Sequence, residues 1–304
     1  MVGWGAPGDM TRGRPEVLAI SGPTGSGKTA VSEVVARALG TEIVSADALQ
    51  VYRGLPVITN QSERLTRLVA IRDVSQEFSV GEYARLAHAE IDGLIGANGI
   101  AVVSGGTGLY LRAALVDLDL PPPGQGGARA RWEAHYDRDP DVAYARLRAL
   151  DPTAASRVHP NDRRRVVRAL ELAEQGTSLA PSRDRLWTAD MRLPTTVVGL
   201  EVPRASLERR IRERTEEMLA RGAVQEARRA VAGGISKTAE RALGLRELVD
   251  LPLEQARERL IARTLRYAAY QRKWMRRIAG IVMIDADRPP DEVADAILEV
   301  ARAR

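Results

Sequence analysis

Apolar positions in this 304-residue chain follow two alternating patterns. Short unbroken runs bounded by turn residues recur at Val17–Ile20, Glu42–Ser45, Ile100–Val103, Thr195–Leu200 and Ile281–Ile284. Such runs predict strands, the Ile100 run one buried in a parallel sheet. Between them apolar residues recur at helical spacing. Val31, Val34, Val35, Ala38 and Leu39 form one stripe. Tyr83, Leu86, Ala87, Ile91 and Leu94 form another over about 80–94, where His88 is expected to be an exposed or capped side chain. Further helices are predicted over Ser206–Leu219, Val224–Val231, Leu253–Ile278 and Pro290–Arg302. Residues 60–80 read as a polar loop followed by a weak apolar run, Leu68–Ile71.

One composition shift interrupts the alternation. Leu118–Gly127, with Pro121-Pro122-Pro123-Gly124, reads as a hinge. After it the pattern is helical over Ala128–Arg138, Asp141–Leu150, Ala154–Val158 and Arg163–Gln175. This predicts a tail over 1–16, a core built from 17–117 and 195–304, and an all-helical insertion domain over 118–194. There is no internal repeat.

Composition narrows the setting. With 44% hydrophobic residues the chain can bury a core, and without cysteine it has neither disulfides nor thiolate metal sites. No run has membrane-spanning length, the first fifteen residues lack the apolar centre of a signal peptide, and a cytoplasmic protein is expected. No protein partner is evident and a monomer is expected. Net charge is +5, and only three of the 45 basic residues are lysines. The arginine excess is open to two readings, a GC-rich genome or a nucleic-acid surface. Clusters at Arg163–Arg165 with Arg168, at Arg209, Arg210, Arg212 and Arg214, and at Arg272, Arg276 and Arg277 favour the surface, because the guanidinium fork grips two phosphate oxygens at once. The interleaved basic and aromatic residues of 253–278 fit either a nucleic-acid face or a solvated amphipathic helix.

The chemistry gathers at three strand ends. Gly22-Pro23-Thr24-Gly25-Ser26-Gly27-Lys28-Thr29 follows the first strand and opens a helix. That is the phosphate-loop pattern in its structural setting, and it predicts an α/β fold with a P-loop NTPase-like parallel sheet flanked by helices. Its backbone N–H groups and the helix dipole would cradle a diphosphate. Lys28 would add charge and the Thr29 hydroxyl would hold Mg2+. Asp47 follows the second strand, at the carboxyl edge where open α/β sheets bind ligands. An N-capping or metal-holding acid is the plainer alternative. Gly105-Gly106-Thr107 follows the Ile100 strand where a hydrolase would often carry an aspartate. Backbone donors and a hydroxyl there point to a second oxyanion cradle, or simply to a turn.

Together these pieces resemble the tRNA dimethylallyltransferase family, also called tRNA isopentenyltransferases. The resemblance rests on residues 22–29, Ser45–Gly54, Gly105–Tyr110, and His159-Pro160-Asn161-Asp162 with Arg168–Glu171. Two weaker blocks are Ala242–Leu248 and Thr264–Trp274. The resemblance implies transfer of a dimethylallyl group from its diphosphate to N6 of the adenosine just 3′ of the anticodon, with tRNA and dimethylallyl diphosphate as partners. It implies Asp47 as general base, Thr107 as hydrogen-bond donor to the leaving oxygen, and the loop with Lys28 and Thr29 as holder of diphosphate and magnesium. Asp47, Ala48, Leu49 and Gln50 would touch the target nucleotide. Arg129, Asn161, Asp162, Arg164, Arg165, Arg168, Arg246, Gln271 and Trp274 would contact the anticodon stem-loop.

The chain departs from the family at Val57–Gln61, where a Gly-Thr-Ala-Lys-Pro piece is usual, and at Arg67-Leu68-Val69, where Pro-His-His is usual. It also has Tyr270-Gln271 for Arg-Gln and Gly244-Leu245 for Gly-Tyr. Three rival readings remain: an adenylate dimethylallyltransferase acting on free AMP or ATP, a phosphate-loop small-molecule kinase, and an inactive tRNA-binding protein. The helical insert weighs against the first, Gly-Gly-Thr against the second, and Asp47 with Thr107 against the third.

Overall fold

The computed structural model describes residues 15–62, 66–121, 127–180 and 185–303. The elements in chain order are β1 (Val17–Ser21), α1 (Lys28–Leu39), β2 (Ile43–Ser45), β3 (Thr66–Arg67), α2 (Val80–Asn98), β4 (Ala101–Gly105) and α3 (Gly108–Leu115). Then come α4 (Ala128–Arg138), α5 (Pro140–Leu150), α6 (Pro152–Ala155) and α7 (Arg163–Glu174). The chain closes with β5 (Thr195–Glu201), α8 (Arg204–Ala220), α9 (Ala223–Ala232), α10 (Leu245–Asp250), α11 (Leu253–Met275), β6 (Val282–Asp285) and α12 (Pro290–Arg302).

The strands form one parallel sheet in the order β3-β2-β4-β1-β5-β6. All five residues of β1 are buried, as the unbroken apolar run requires of a strand covered on both faces. Leu18 and Ile20 of β1 share a core with Val31 and Val35 of α1, Val198 and Leu200 of β5, and Val293 and Ile297 of α12. Register sets the geometry of the site. Ser21 stands opposite Gly105, and Ser45 opposite Ser104. The loops leaving β1, β4 and β2 therefore emerge side by side at one sheet edge.

Two compact units make up the chain, one of residues up to Asp117 and from Leu186, the other Leu118–Arg185. In the smaller unit, Tyr136, Leu147, Val158, Val166 and Leu170 close a core of their own. Asp139 and Asp162 accept backbone N–H bonds at the starts of α5 and α7, which fixes where those helices begin. The insert thus ends at Arg185 rather than at Pro194. Trp187 and Arg192 belong to the larger unit: Trp187 packs on Trp274, and Arg192 forms a two-pronged ion pair with Asp92.

Other differences have local causes. The expected tail lies mostly outside the described residues, but Glu16 and Val17 both donate to the Pro194 carbonyl. The Leu68–Ile71 run does not extend as a strand, because Leu68 and Ala70 take positive φ and reverse the chain after β3. The turn after β4 runs on into α3, a helix that apolar spacing alone left unmarked. His88 is half-buried, its ring hydrogen-bonded to the Ala113 carbonyl at 3.0 Å. Among the described residues no helix is long and apolar enough to cross a membrane.

At Gly105, β4 lies so close to Ala46 that a side-chain carbon would collide with the Ala46 carbonyl. Gly105→Ala is expected to lower stability by roughly 2–3 kcal/mol. Gly93→Ala, in open space on α2, is expected to be neutral or to gain up to about 1 kcal/mol. Thermal unfolding of both variants checks the pair.

Candidate active site

The phosphate loop joins β1 to α1 at the centre of the sheet. Gly25 and Gly27 adopt φ of 83° and 84°, which other residues resist, and this winds the loop tightly. A turn bond from Ser26 N to the Pro23 carbonyl, 3.1 Å, closes it. The first turn of α1 carries no acidic residue and no side-chain cap, so its N–H groups and dipole are not offset from within. Ser26 Oγ is buried with no hydrogen-bond partner among the described residues. An orphaned donor beside an uncapped helix start is the arrangement an oxyanion would complete.

Lys28 folds back so that its Nζ donates to the Pro23 carbonyl at 3.0 Å. Burial lowers its pKa to about 8, with the Asp47 charge opposing that shift and Arg214 adding to it. Thr29 lies in the first turn of α1, and no hydrogen bond occupies its hydroxyl among the described residues. No group of three His, Asp or Glu side chains suited to a metal occurs among those residues. Of the loop's side chains, the Thr29 hydroxyl is the one suited to hold a metal ion that also takes phosphate oxygens.

Asp47 combines both roles left open above. Its Oδ1 accepts from Leu49 N at 2.9 Å and from Gln50 N at 3.4 Å, capping the turn after β2. Asp47 also lines a pocket whose other polar residues are Thr24, Thr59, Arg214, Thr215, Thr264 and Tyr267. The rest of that lining is mainly apolar, from Leu49, Ile58, Ile211, Met218, Leu243 and Leu260. Thr107 precedes α3. Its Oγ1 is 3.5 Å from Ala48 N and 3.3 Å from the Tyr267 hydroxyl. Burial, and secondarily the Asp47 charge, pushes the Tyr267 pKa up to about 12.

One face of α11 braces these pieces. Gln271 is buried and its Oε1 accepts from Thr24 N at 2.8 Å, while its Nε2 donates to the Gly106 carbonyl at 3.0 Å. Trp274 packs against Gly108, leaving no room there for a side chain. Gln271 is thus turned inward and ties two loops together, in contrast to the RNA-contacting place expected for it. Gln50 is also occupied, accepting from Ser45 Oγ and donating to the Thr59 and Asn60 carbonyls. That holds it in the fold rather than presenting it to a nucleotide. Val57–Gln61, where the chain departs from the family pattern, is anchored by Glu226, which accepts from Val57 N at 3.0 Å and Ile58 N at 2.8 Å.

The arginine clusters divide. Arg163 pairs with Asp137, Arg168 with the buried Glu171, Arg210 with Asp287, and Arg272 and Arg276 with Glu201. Arg129 lies 3.3 Å from Glu133 and Arg246 pairs with Glu240. In the smaller unit Asn161 and Arg164 are exposed, and the Arg165 side chain is 67% exposed, 3.7 Å from Asp162. Arg214, Tyr267 and Glu226 went unassigned as site residues from sequence. A signal existed for Glu226, which shares a face of α9 with the buried alanines Ala223, Ala227 and Ala230.

A phosphate loop, an acid and a threonine hydroxyl on neighbouring strand ends place the chain among phosphate-loop enzymes that carry out group transfer. The sequence matches the family described as IPP transferase over residues 50–278 and that described as Isopentenyl transferase over 15–66. It is 38% identical to a tRNA dimethylallyltransferase of Anaeromyxobacter sp. (strain Fw109-5), over 91% of this chain and 97% of that protein. The full-length tRNA isopentenylpyrophosphate transferase of Bacillus halodurans superposes with a TM-score of 0.66 at 30% identity, covering 95% of each chain. A eukaryotic dimethylallyltransferase acting on tRNA superposes with a TM-score of 0.73 at 27% identity, over 89% of this chain and 73% of that one. The chain belongs to the tRNA dimethylallyltransferase family.

Removing the α11 amide leaves a half-buried N–H at Thr24 and a buried carbonyl at Gly106 without their partner. Gln271→Leu is expected to cost about 1–3 kcal/mol in urea unfolding.

Proposed function

We propose that this chain transfers a dimethylallyl group from dimethylallyl diphosphate to N6 of the adenosine 3′ of the anticodon in tRNA, releasing diphosphate. The observation that carries the reading is one pocket lined by Asp47, Arg214 and Thr24 together with apolar side chains suited to a five-carbon allylic chain. The C1–O bond of the allylic diphosphate breaks as the N6–C1 bond forms, and the bonding pair leaves with the diphosphate. The exocyclic amine is a weak nucleophile, and Asp47 takes its proton as the new bond develops. Loop N–H groups, Ser26, Lys28 and Arg214 stabilise the growing negative charge on the leaving group, and Thr107 donates to its bridging oxygen. Magnesium bound at Thr29 would neutralise part of the same charge. The target base must leave its stack to reach the pocket. Exposed Asn161, Arg164 and Arg165 of the smaller unit then serve to hold the stem-loop.

Asp47→Asn keeps an oxygen for the Leu49 and Gln50 N–H groups, so its effect reports on the base. With labelled dimethylallyl diphosphate and unmodified tRNA, transfer is expected to fall by roughly 10²–10⁴-fold, while tRNA affinity stays within about twofold of the parent chain by filter binding. Equal loss of both removes Asp47 as the base. Labelling of AMP in place of tRNA, read by nucleoside mass analysis, would instead assign a free-nucleotide acceptor.

Arg165→Ala is expected to weaken tRNA binding about equally across tRNA sequences and to lower the slope of log K against log salt by roughly 0.7–0.9. An unchanged slope would take Arg165 out of the phosphate contacts.

A further inference from the structure

Tyr267 is the aromatic residue of the pocket wall, and the reaction as described gives it no task. It sits on α11 one helical turn before Gln271, on the face that braces the phosphate loop. Its hydroxyl lies 3.3 Å from Thr107 Oγ1. A threonine hydroxyl has one proton to give and two lone pairs with which to accept. The Ala48 N–H, 3.5 Å away, approaches one of those lone pairs. If Thr107 gave its proton to Tyr267, none would remain for a leaving group. If Tyr267 gives instead, both accepting positions of Thr107 are filled and its proton is left for a ligand.

We infer that Tyr267 is a positioning residue for the leaving-group donor: its hydroxyl donates to Thr107 Oγ1 and so directs the Thr107 proton to the bridging oxygen of the departing diphosphate. The Ala48 N–H directed at Thr107 Oγ1 agrees with that direction, since Thr107 then accepts from both neighbours. Burial and the nearby Asp47 charge keep the phenol protonated far above neutral pH. The chain of donors runs from Tyr267 to Thr107 and on to substrate. Distances of 3.3–3.5 Å suit a site that tightens when the ligand arrives.

The inference rests on Thr107 as donor to the leaving oxygen, and a double-mutant cycle separates the two. Steady-state transfer to tRNA is measured for Tyr267→Phe, Thr107→Val and the pair. Thr107→Val is expected to lower kcat by roughly a hundredfold. Tyr267→Phe is expected to lower it roughly tenfold, with KM for dimethylallyl diphosphate within about twofold, and the pair to be no slower than Thr107→Val alone. In a Thr107→Ser background, which retains the hydroxyl, Tyr267→Phe should again cost roughly tenfold. Losses that multiply in the Thr107→Val background would show Tyr267 acting independently and overturn the proposal, as would a change confined to KM or no change at all. Parental kcat in Thr107→Val would remove the leaving-group reading itself, and this proposal with it.

Discussion

The site depends on one side-chain amide. Gln271, buried on α11, accepts from the phosphate loop at Thr24 and donates to the Gly-Gly turn at Gly106. Both loops leave neighbouring strands, β1 and β4, and neither has a regular backbone partner at that point. The buried Gly106 carbonyl left unpaired would carry a substantial desolvation cost, so the amide holds the loops at a set separation as well as stabilising them. Around this brace the other contacts fall into place. Trp274 covers Gly108 one turn further along α11, and Tyr267 reaches Thr107 one turn earlier. A long helix is a stiff support for the side chains that brace the loops.

The second organising feature is buried charge. Lys28 and Arg214 both feel the Asp47 carboxylate, Arg214 also that of Glu217, and burial weakens the protonated form of both bases. The α1 terminus adds positive potential with no acid of its own. Such a site is costly when empty and is relieved by a polyanion. A diphosphate supplies that relief as a substrate group and leaves as product, so the same field that binds it also favours its departure.

The segment that departs from the family pattern shows how a fold compensates locally. Val57–Gln61 lacks the lysine and proline usual there, yet it is held at several points. Glu226 takes two of its N–H groups, the Gln50 amide takes two of its carbonyls, and Gln61 Nε2 reaches the Gln50 and Tyr52 carbonyls. Ile58 and Thr59 thereby become part of the pocket wall. Much of the arginine excess likewise goes into ion pairs within the fold, leaving fewer side chains for an RNA surface than the clusters suggested.

The amino-acid sequence by itself determined the strand cores, most helices and the chemical identity of the three loops, because these depend on local periodicity and on residues adjacent in the chain. Three helices of the insert were legible almost to their ends, whereas α6 spans Pro152–Ala155 rather than the expected Ala154–Val158. α3 was missed because it is short and follows a glycine turn, and the positive φ of Leu68 and Ala70 leaves no mark in apolar spacing. The direction in which each side chain of α11 points was beyond such reading. Gln271 and Trp274 look outward-bound in a list of polar and aromatic residues, and only the packing of α11 against loops some 165 and 247 positions away turns them inward. Arg214 stands among neighbouring arginines of the same composition, and the tertiary fold alone sends that one into the pocket. Local chemistry is written in consecutive residues, whereas the partner of a buried polar group is chosen by which distant segments the core brings together.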